Sequence, residues 1–88
     1  MKVEFRESFL KDLGTIRDKK LAQKVRELIV SIESAESLLD IANVKKLRGE
    51  KGYYRIRLGE YRLGLLHDGE TITLVRFLNR KEIYRFFP

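Results

Sequence analysis

Three arginines within a single fourteen-residue stretch carry the strongest chemical signal in the chain. The stretch is Tyr53-Tyr54-Arg55-Ile56-Arg57-Leu58-Gly59-Glu60-Tyr61-Arg62-Leu63-Gly64-Leu65-Leu66. A guanidinium keeps its charge at any physiological pH and offers a planar fork of donors that matches a phosphate. Gly59-Glu60 suits a two-residue hairpin turn with glycine first, type II′. That turn sets a register in which Leu58 faces Tyr61, Arg57 faces Arg62, Ile56 faces Leu63, Arg55 faces Gly64 and Tyr54 faces Leu65. Side chains alternate between faces. One face therefore carries Tyr54, Ile56, Leu58, Tyr61, Leu63 and Leu65. The other carries Tyr53, Arg55, Arg57, Arg62, Gly64 and Leu66, with Gly64 expected to leave a gap beside the arginines. Like charges directly opposite in an antiparallel pair are destabilising, so Arg57 against Arg62 suits an anion lying between them. The competing reading is a solvated surface on which each arginine has a local carboxylate. Glu60, in the turn, and Glu50, upstream, are the candidates for that role.

Charge distribution supports a polyanion partner. Residues 1–44 carry eight Lys/Arg and eight Asp/Glu, whereas residues 45–88 carry eleven Lys/Arg and five Asp/Glu. The whole net charge of +6 thus sits in the second half. Solubility alone does not require such segregation.

Other chemistries find little support. There is no cysteine and a single histidine, His67, beside a turn. No metal-ligand spacing, glycine-rich phosphate loop or Ser/His/Asp set is present, so no cofactor is expected. The N-terminus lacks the apolar run of a signal peptide, and no stretch approaches the roughly 18 apolar residues of a membrane span. These features fit a cytoplasmic protein with no membrane partner and a single domain over 1–88.

The elements that must hold the arginines follow from periodicity. Lys2 to Arg6 alternates as a short strand around Val3 and Phe5. Ser8 is a candidate cap for a helix with Phe9, Leu10, Leu13 and Ile16 on its apolar face. Asp18 can cap a second helix, whose stripe is Leu21, Val25, Leu28, Ile29 and Ile32. Leu38, Leu39, Ile41 and Val44 anchor a short turn of helix or a packed loop. Asp68-Gly69 marks a second hairpin turn, with Leu65 facing Ile72 and Leu63 facing Leu74. Thr71 to Leu78 is then a third strand, ended by Asn79, and Ile83, Phe86 and Phe87 pin the remaining tail. The expected fold is α+β: an N-terminal strand and an antiparallel two-helix hairpin, packed on an antiparallel sheet completed by a C-terminal three-stranded meander (β-α-α-β-β-β).

Three motifs in this order resemble the RelE-like toxins of bacterial and archaeal toxin–antitoxin pairs. They are Lys46-Leu47-Arg48-Gly49, then Tyr54-Arg55-Ile56-Arg57-Leu58-Gly59-Glu60-Tyr61-Arg62, then Asn79-Arg80-Lys81-Glu82-Ile83-Tyr84. The resemblance covers nearly the whole chain. It implies a metal-independent endoribonuclease that cuts mRNA in the ribosomal A site through attack of a ribose 2′-OH on the adjacent phosphate. It also implies a cognate antitoxin as partner, with promoter DNA bound only by the toxin–antitoxin complex. By the same resemblance Arg62, Arg80 and Tyr84 are the catalytic candidates. Arg55, Arg57, Lys45, Lys46, Arg48, Tyr53, Asn79 and Lys81 are the candidates for holding RNA. Arg55 and Arg57 stand where well-studied members often carry lysine, and Asn79 where several carry histidine. Arginine cannot act as a base at physiological pH, which leaves Tyr84 as the side chain suited to that role. Two alternatives remain: a ParE-like toxin that inhibits DNA gyrase without cutting RNA, and a decayed toxin that acts only as an antitoxin-bound regulator.

Overall fold

Gly59 takes φ +59° at the first of two central turn positions and Glu60 stays at negative φ, the pattern of a type II′ turn. In this computed structural model, which describes residues 1–88, the turn joins β3 (Tyr53–Leu58) to β4 (Tyr61–Asp68). Their register is the expected one throughout, including Arg57 opposite Arg62.

The second hairpin, from β4 to β5 (Thr71–Asn79), turns one residue later than expected. Asp68 pairs with Thr71, so Gly69-Glu70 forms the turn, with Gly69 at φ +60°. Leu65 therefore faces Leu74, not Ile72, and Leu63 faces Phe77, not Leu74. A two-residue slip preserves parity, so Leu63, Leu65, Ile72 and Leu74 all still reach the core. Beyond Leu74 the strand bulges. Val75 is left without a partner between Leu74 and Arg76, which face Leu65 and Gly64. The bulge moves Phe77 onto the core face.

Two further strands, β1 (Lys2–Phe5) and β2 (Val44–Lys46), complete a five-stranded sheet of order β1-β5-β4-β3-β2. The N-terminal strand β1 (Lys2–Phe5) runs parallel to β5, which makes the sheet mixed where an antiparallel one was expected. A three-residue strand β2 (Val44–Lys46), not foreseen, pairs antiparallel with β3 at the other edge. The α+β class stands.

Helices α1 (Glu7–Gly14) and α2 (Lys19–Ser34) cover one face of the sheet. Phe9, Val25 and Ile32 join Ile56, Leu63, Leu65, Ile72, Leu74 and Phe77 in the core. The Asp18 side chain caps α2, accepting from the Lys20 and Leu21 amides at 2.9 and 3.2 Å. Ser8 does not cap α1. Arg6 holds that position without a side-chain bond. The Ser8 hydroxyl instead donates to the Val75 carbonyl at 2.6 Å. One helical turn on, Asp12 accepts from the Phe77 amide and pairs with the Arg76 guanidinium, Nε to Oδ2 at 2.7 Å. Thus α1 satisfies the backbone that the bulge takes out of the ladder. The hydrogen bonds to Asp12, opposed by partial desolvation, raise the Arg76 pKa above its ordinary value. Leu10 and Leu39, expected to pack inward, are exposed.

The chain end is helical. Asn79 caps α3 (Arg80–Phe86) by accepting from the Lys81 amide at 3.0 Å. Ile83 and Phe87 are buried, whereas Phe86 is half exposed over the Arg76 guanidinium. Phe87 lies on Gly64, so α3 packs against the arginine-bearing face of the sheet. A Cβ on Gly64 would sit 2.7 Å from the Phe87 ring. The gap expected beside the arginines is filled by the chain's own phenylalanine. No helix is long and apolar enough to cross a membrane.

Candidate nucleic-acid interface

Alternation along β2, β3 and β4 gathers the cations. Lys45 faces Arg55 across the β2–β3 ladder, and Arg57 faces Arg62 across the next. These four side chains and Tyr84 from α3 line a cleft of about 310 Å³, with Asn43 and Val44 at its end. No carboxylate lines it.

The partners of the arginines bear on the two readings of this surface. Arg57 donates from Nη2 to the Asn43 side-chain oxygen at 3.2 Å. Arg62 donates from Nη1 to the carbonyls of Gly59 and Tyr61, both at 2.9 Å. Arg55 lies over the Tyr84 ring, its guanidinium carbon 4.5 Å from the centroid. Every one of these acceptors is neutral. The ion pairs of the molecule are Lys2–Glu4, Lys11–Glu7, Arg76–Asp12 and Arg80–Glu60. Glu60 therefore pairs with Arg80, and no carboxylate neutralises Arg55, Arg57 or Arg62. Hydrogen bonds orient their charge without cancelling it. That is the electrostatic condition for binding an anion in the cleft and for stabilising charge that builds there.

The other sequence candidates lie around this centre. Arg80 opens α3 one helical turn before Tyr84, on the same side of the helix. Its guanidinium is held outside the cleft by Glu60, with Nε 3.1 Å from Oε2. Asn79 is engaged as the α3 cap, and Lys81 is exposed beside it. Tyr53 meets Phe87 edge to face, 5.5 Å between ring centres, and is partly withdrawn from a stacking role. Lys46 and Arg48 line the loop between β2 and β3, away from the cleft. Asn43 was not among the candidates. Its positive φ of 66° and its contact with Arg57 place it at the cleft wall. The sequence offered no signal for it, because the contact depends on β2 folding back onto β3.

A second cleft, of about 350 Å³, opens on the far side of Asn43 and Arg57, between α2 and β3. Its charged lining is mixed, with Lys24 and Arg57 against Glu27 and Asp40.

Fold and cleft together define a small α+β protein that presents an uncompensated guanidinium cluster on one face of its sheet. Comparison with known proteins gives that class a family. The profile of the ParE toxin of the type II toxin–antitoxin system parDE matches residues 3–84. Toxin RelE3 of Methanocaldococcus jannaschii is 39% identical over 89 residues, covering 100% of both chains. Among solved structures, the RelB–RelE antitoxin–toxin complex from Methanococcus jannaschii superposes with TM-score 0.83 at 35% identity, over 97% of this chain and 99% of the other. The YoeB dimer from Staphylococcus aureus follows with TM-score 0.74 at 27% identity, over 91% and 97%. The chain belongs to the ParE toxin family of type II toxin–antitoxin systems and is RelE-like within it.

Proposed function

We propose that this toxin is a metal-independent endoribonuclease that cuts mRNA in the ribosomal A site and so arrests translation. The observation that carries the reading is the cleft itself: Lys45, Arg55, Arg57 and Arg62 with no carboxylate among them, and a tyrosine at the rim. The 2′-oxygen bonds to phosphorus as the bond from phosphorus to the 5′-oxygen breaks, leaving a 2′,3′-cyclic phosphate and a 5′-OH. The pentacoordinate transition state carries more negative charge than the diester. Fixed guanidinium groups therefore bind it better than they bind the ground state. The Tyr84 oxygen takes the 2′-OH proton, and Arg80 stabilises or protonates the departing oxygen. Lys46, Arg48, Tyr53 and Lys81 extend the contact along the RNA. The work takes place in the cytoplasm, where the ribosomes are.

A cognate antitoxin silences the protein by covering the cationic face, and promoter DNA is bound only by the two proteins together. The partner reading is supported by the 35%-identical relative, which was solved as an antitoxin–toxin complex. The test of function is a translation extract with a defined message, with and without ribosomes, and mapping of the new 5′ ends. Cuts confined to A-site codons are expected, and their absence rejects the reading. The match to a ParE family profile keeps one rival in view. Inhibition of gyrase supercoiling without any RNA cleavage would establish it.

A further inference from the structure

Arg57 belongs to two clefts of opposite character. It lines the cationic cleft with Lys45, Arg55 and Arg62, and it also lines the second cleft, where Glu27 and Asp40 stand. Two forces push its guanidinium the same way. Arg62, directly opposite in the ladder, repels it, and the carboxylates of the second cleft attract it. Yet Arg57 takes part in none of the ion pairs of the molecule. Its partner is the neutral side-chain oxygen of Asn43, which accepts from Nη2 at 3.2 Å. Asn43 and Arg57 form the wall that both clefts share.

Two bonds make this hold specific. The backbone N–H of Arg57 donates to the Asn43 carbonyl at 3.2 Å, one step beyond the Val44–Ile56 pair of the β2–β3 ladder. The amide is thereby fixed beside the base of the side chain whose tip it binds. Asn43 sits at φ +66°, a conformation that glycine adopts freely and that asparagine and aspartate tolerate better than other side chains. Glycine would serve the backbone equally well. What asparagine adds is a short, stiff acceptor that carries no charge. Aspartate could hold Arg57 in the same way, but it would cancel the positive charge that the cleft presents. Both side chains are exposed, so their bond contributes little to folding.

We infer that Asn43 is a positioning residue for Arg57: its neutral oxygen keeps the guanidinium on the cationic cleft, away from Glu27 and Asp40, with its charge intact for an RNA phosphate. This rests on the cleavage reading above. Asn43 acts through Arg57.

The full-length protein offers a test in which the backbone is left alone. Asn43→Gly keeps the positive φ and removes only the acceptor. Single-turnover cleavage on saturating programmed ribosomes should slow by about tenfold, since a loosely held group loses its alignment. Affinity for a 2′-deoxy-substituted, uncleavable oligonucleotide should stay within about threefold, because the charge is still there. In an Arg57→Ala background Asn43→Gly should add no further loss, and in a Glu27→Gln, Asp40→Asn background its effect on the rate should shrink. Asn43→Asp should behave differently and weaken oligonucleotide affinity by about threefold to tenfold, as a carboxylate enters the cleft. An unchanged rate in Asn43→Gly overturns the proposal. So does a loss of rate and affinity by the same factor, or an equal loss in the Arg57→Ala background, either of which makes Asn43 an RNA contact in its own right. A second measurement does not depend on cleavage. Rotation of the Arg57 guanidinium about its Nε–Cζ bond, followed by NMR, should be about twofold to threefold faster in Asn43→Gly than in the parent protein, as expected for the loss of one exposed hydrogen bond. Should the parent protein cut no RNA, the cleavage reading falls and this rotation decides alone: faster rotation upholds the hold on Arg57, and equal rotation removes it.

Discussion

Arg55 covers the ring of Tyr84, linking the central sheet to the C-terminal helix across the mouth of the cleft. Tyr84 is 68% exposed, so its hydroxyl and one face of its ring meet solvent or substrate. Ring and hydroxyl can be separated. Tyr84→Phe keeps the cation–π contact and should leave RNA affinity within about twofold. If the phenol moves the proton, single-turnover cleavage should fall by about 10²- to 10⁴-fold. Tyr84→Ala should weaken binding as well. Equal cleavage by the parent protein and Tyr84→Phe would exclude Tyr84 as the base.

The Arg57–Arg62 pair predicts a conflict between activity and stability. Two cations face each other, and the acceptors they hydrogen-bond are neutral. Such a pair costs stability on the order of 0.2–1 kcal/mol. Arg62→Gln should therefore leave Tm unchanged or raise it by a few degrees, about 4–8 °C per kcal/mol for a domain of this size, while abolishing cleavage. Phosphate added to the parent protein should raise its Tm by binding the folded state and should do so less in the variant. A variant that melts well below the parent would show that Arg62 supports the fold.

Asp12 lies in the opposite class, polar and important to folding. It accepts from both Arg76 and the Phe77 amide beside the β5 bulge, and its side chain is 11% exposed. Asp12→Ala leaves that amide and a half-buried guanidinium without their acceptor. The expected loss is about 2 kcal/mol, a fall in Tm of roughly 10 °C. Thermal unfolding checks it. Cleavage measured well below the new Tm should change little.

These positions differ in how far the sequence discloses them. The β3–β4 register could be read because Gly59-Glu60 fixes it locally, and the charge pattern came with it. The β4–β5 register could not, since Asp68-Gly69 and Gly69-Glu70 are both competent turns and only packing chooses between them. The faces survived the error because the slip was two residues. Strand β2 was invisible: Val44–Lys46 is three residues long, two of them lysine, and becomes a strand only by pairing with β3. The parallel placing of β1 is equally non-local. The α3 signals are present, with Asn79 as cap and Ile83 and Phe87 one turn apart, but two apolar residues in so short a tail indicate an anchor without specifying a helix. The gap at Gly64 was misjudged for the same reason. What fills it lies twenty-three residues further along the chain.

Gly64 accordingly yields a sharp test of how the site is assembled. It faces Arg55 on one side and Arg76 on the other, and the Phe87 ring lies flat enough on it that an added Cβ would meet three ring carbons at 2.7–2.8 Å. The neighbours are the body of an aromatic ring that is itself 4% exposed, so relief requires Phe87, and α3 with it, to lift. Overpacking of this kind costs roughly 1–3 kcal/mol. Gly64→Ala should lower Tm by about 5–20 °C and make the chain after Asn79 more sensitive to limited proteolysis. Because Tyr84 rides on α3, cleavage should fall even at temperatures where the sheet stays folded. Phe87→Ala removes the buried ring and should cost more, about 3–5 kcal/mol. Gly64→Ala in the Phe87→Ala background should then be nearly neutral, since the added methyl group enters the space the ring has left. A double variant less stable than Phe87→Ala by the full Gly64→Ala increment would mean that the methyl group strains the sheet itself and that the seat of α3 lies elsewhere.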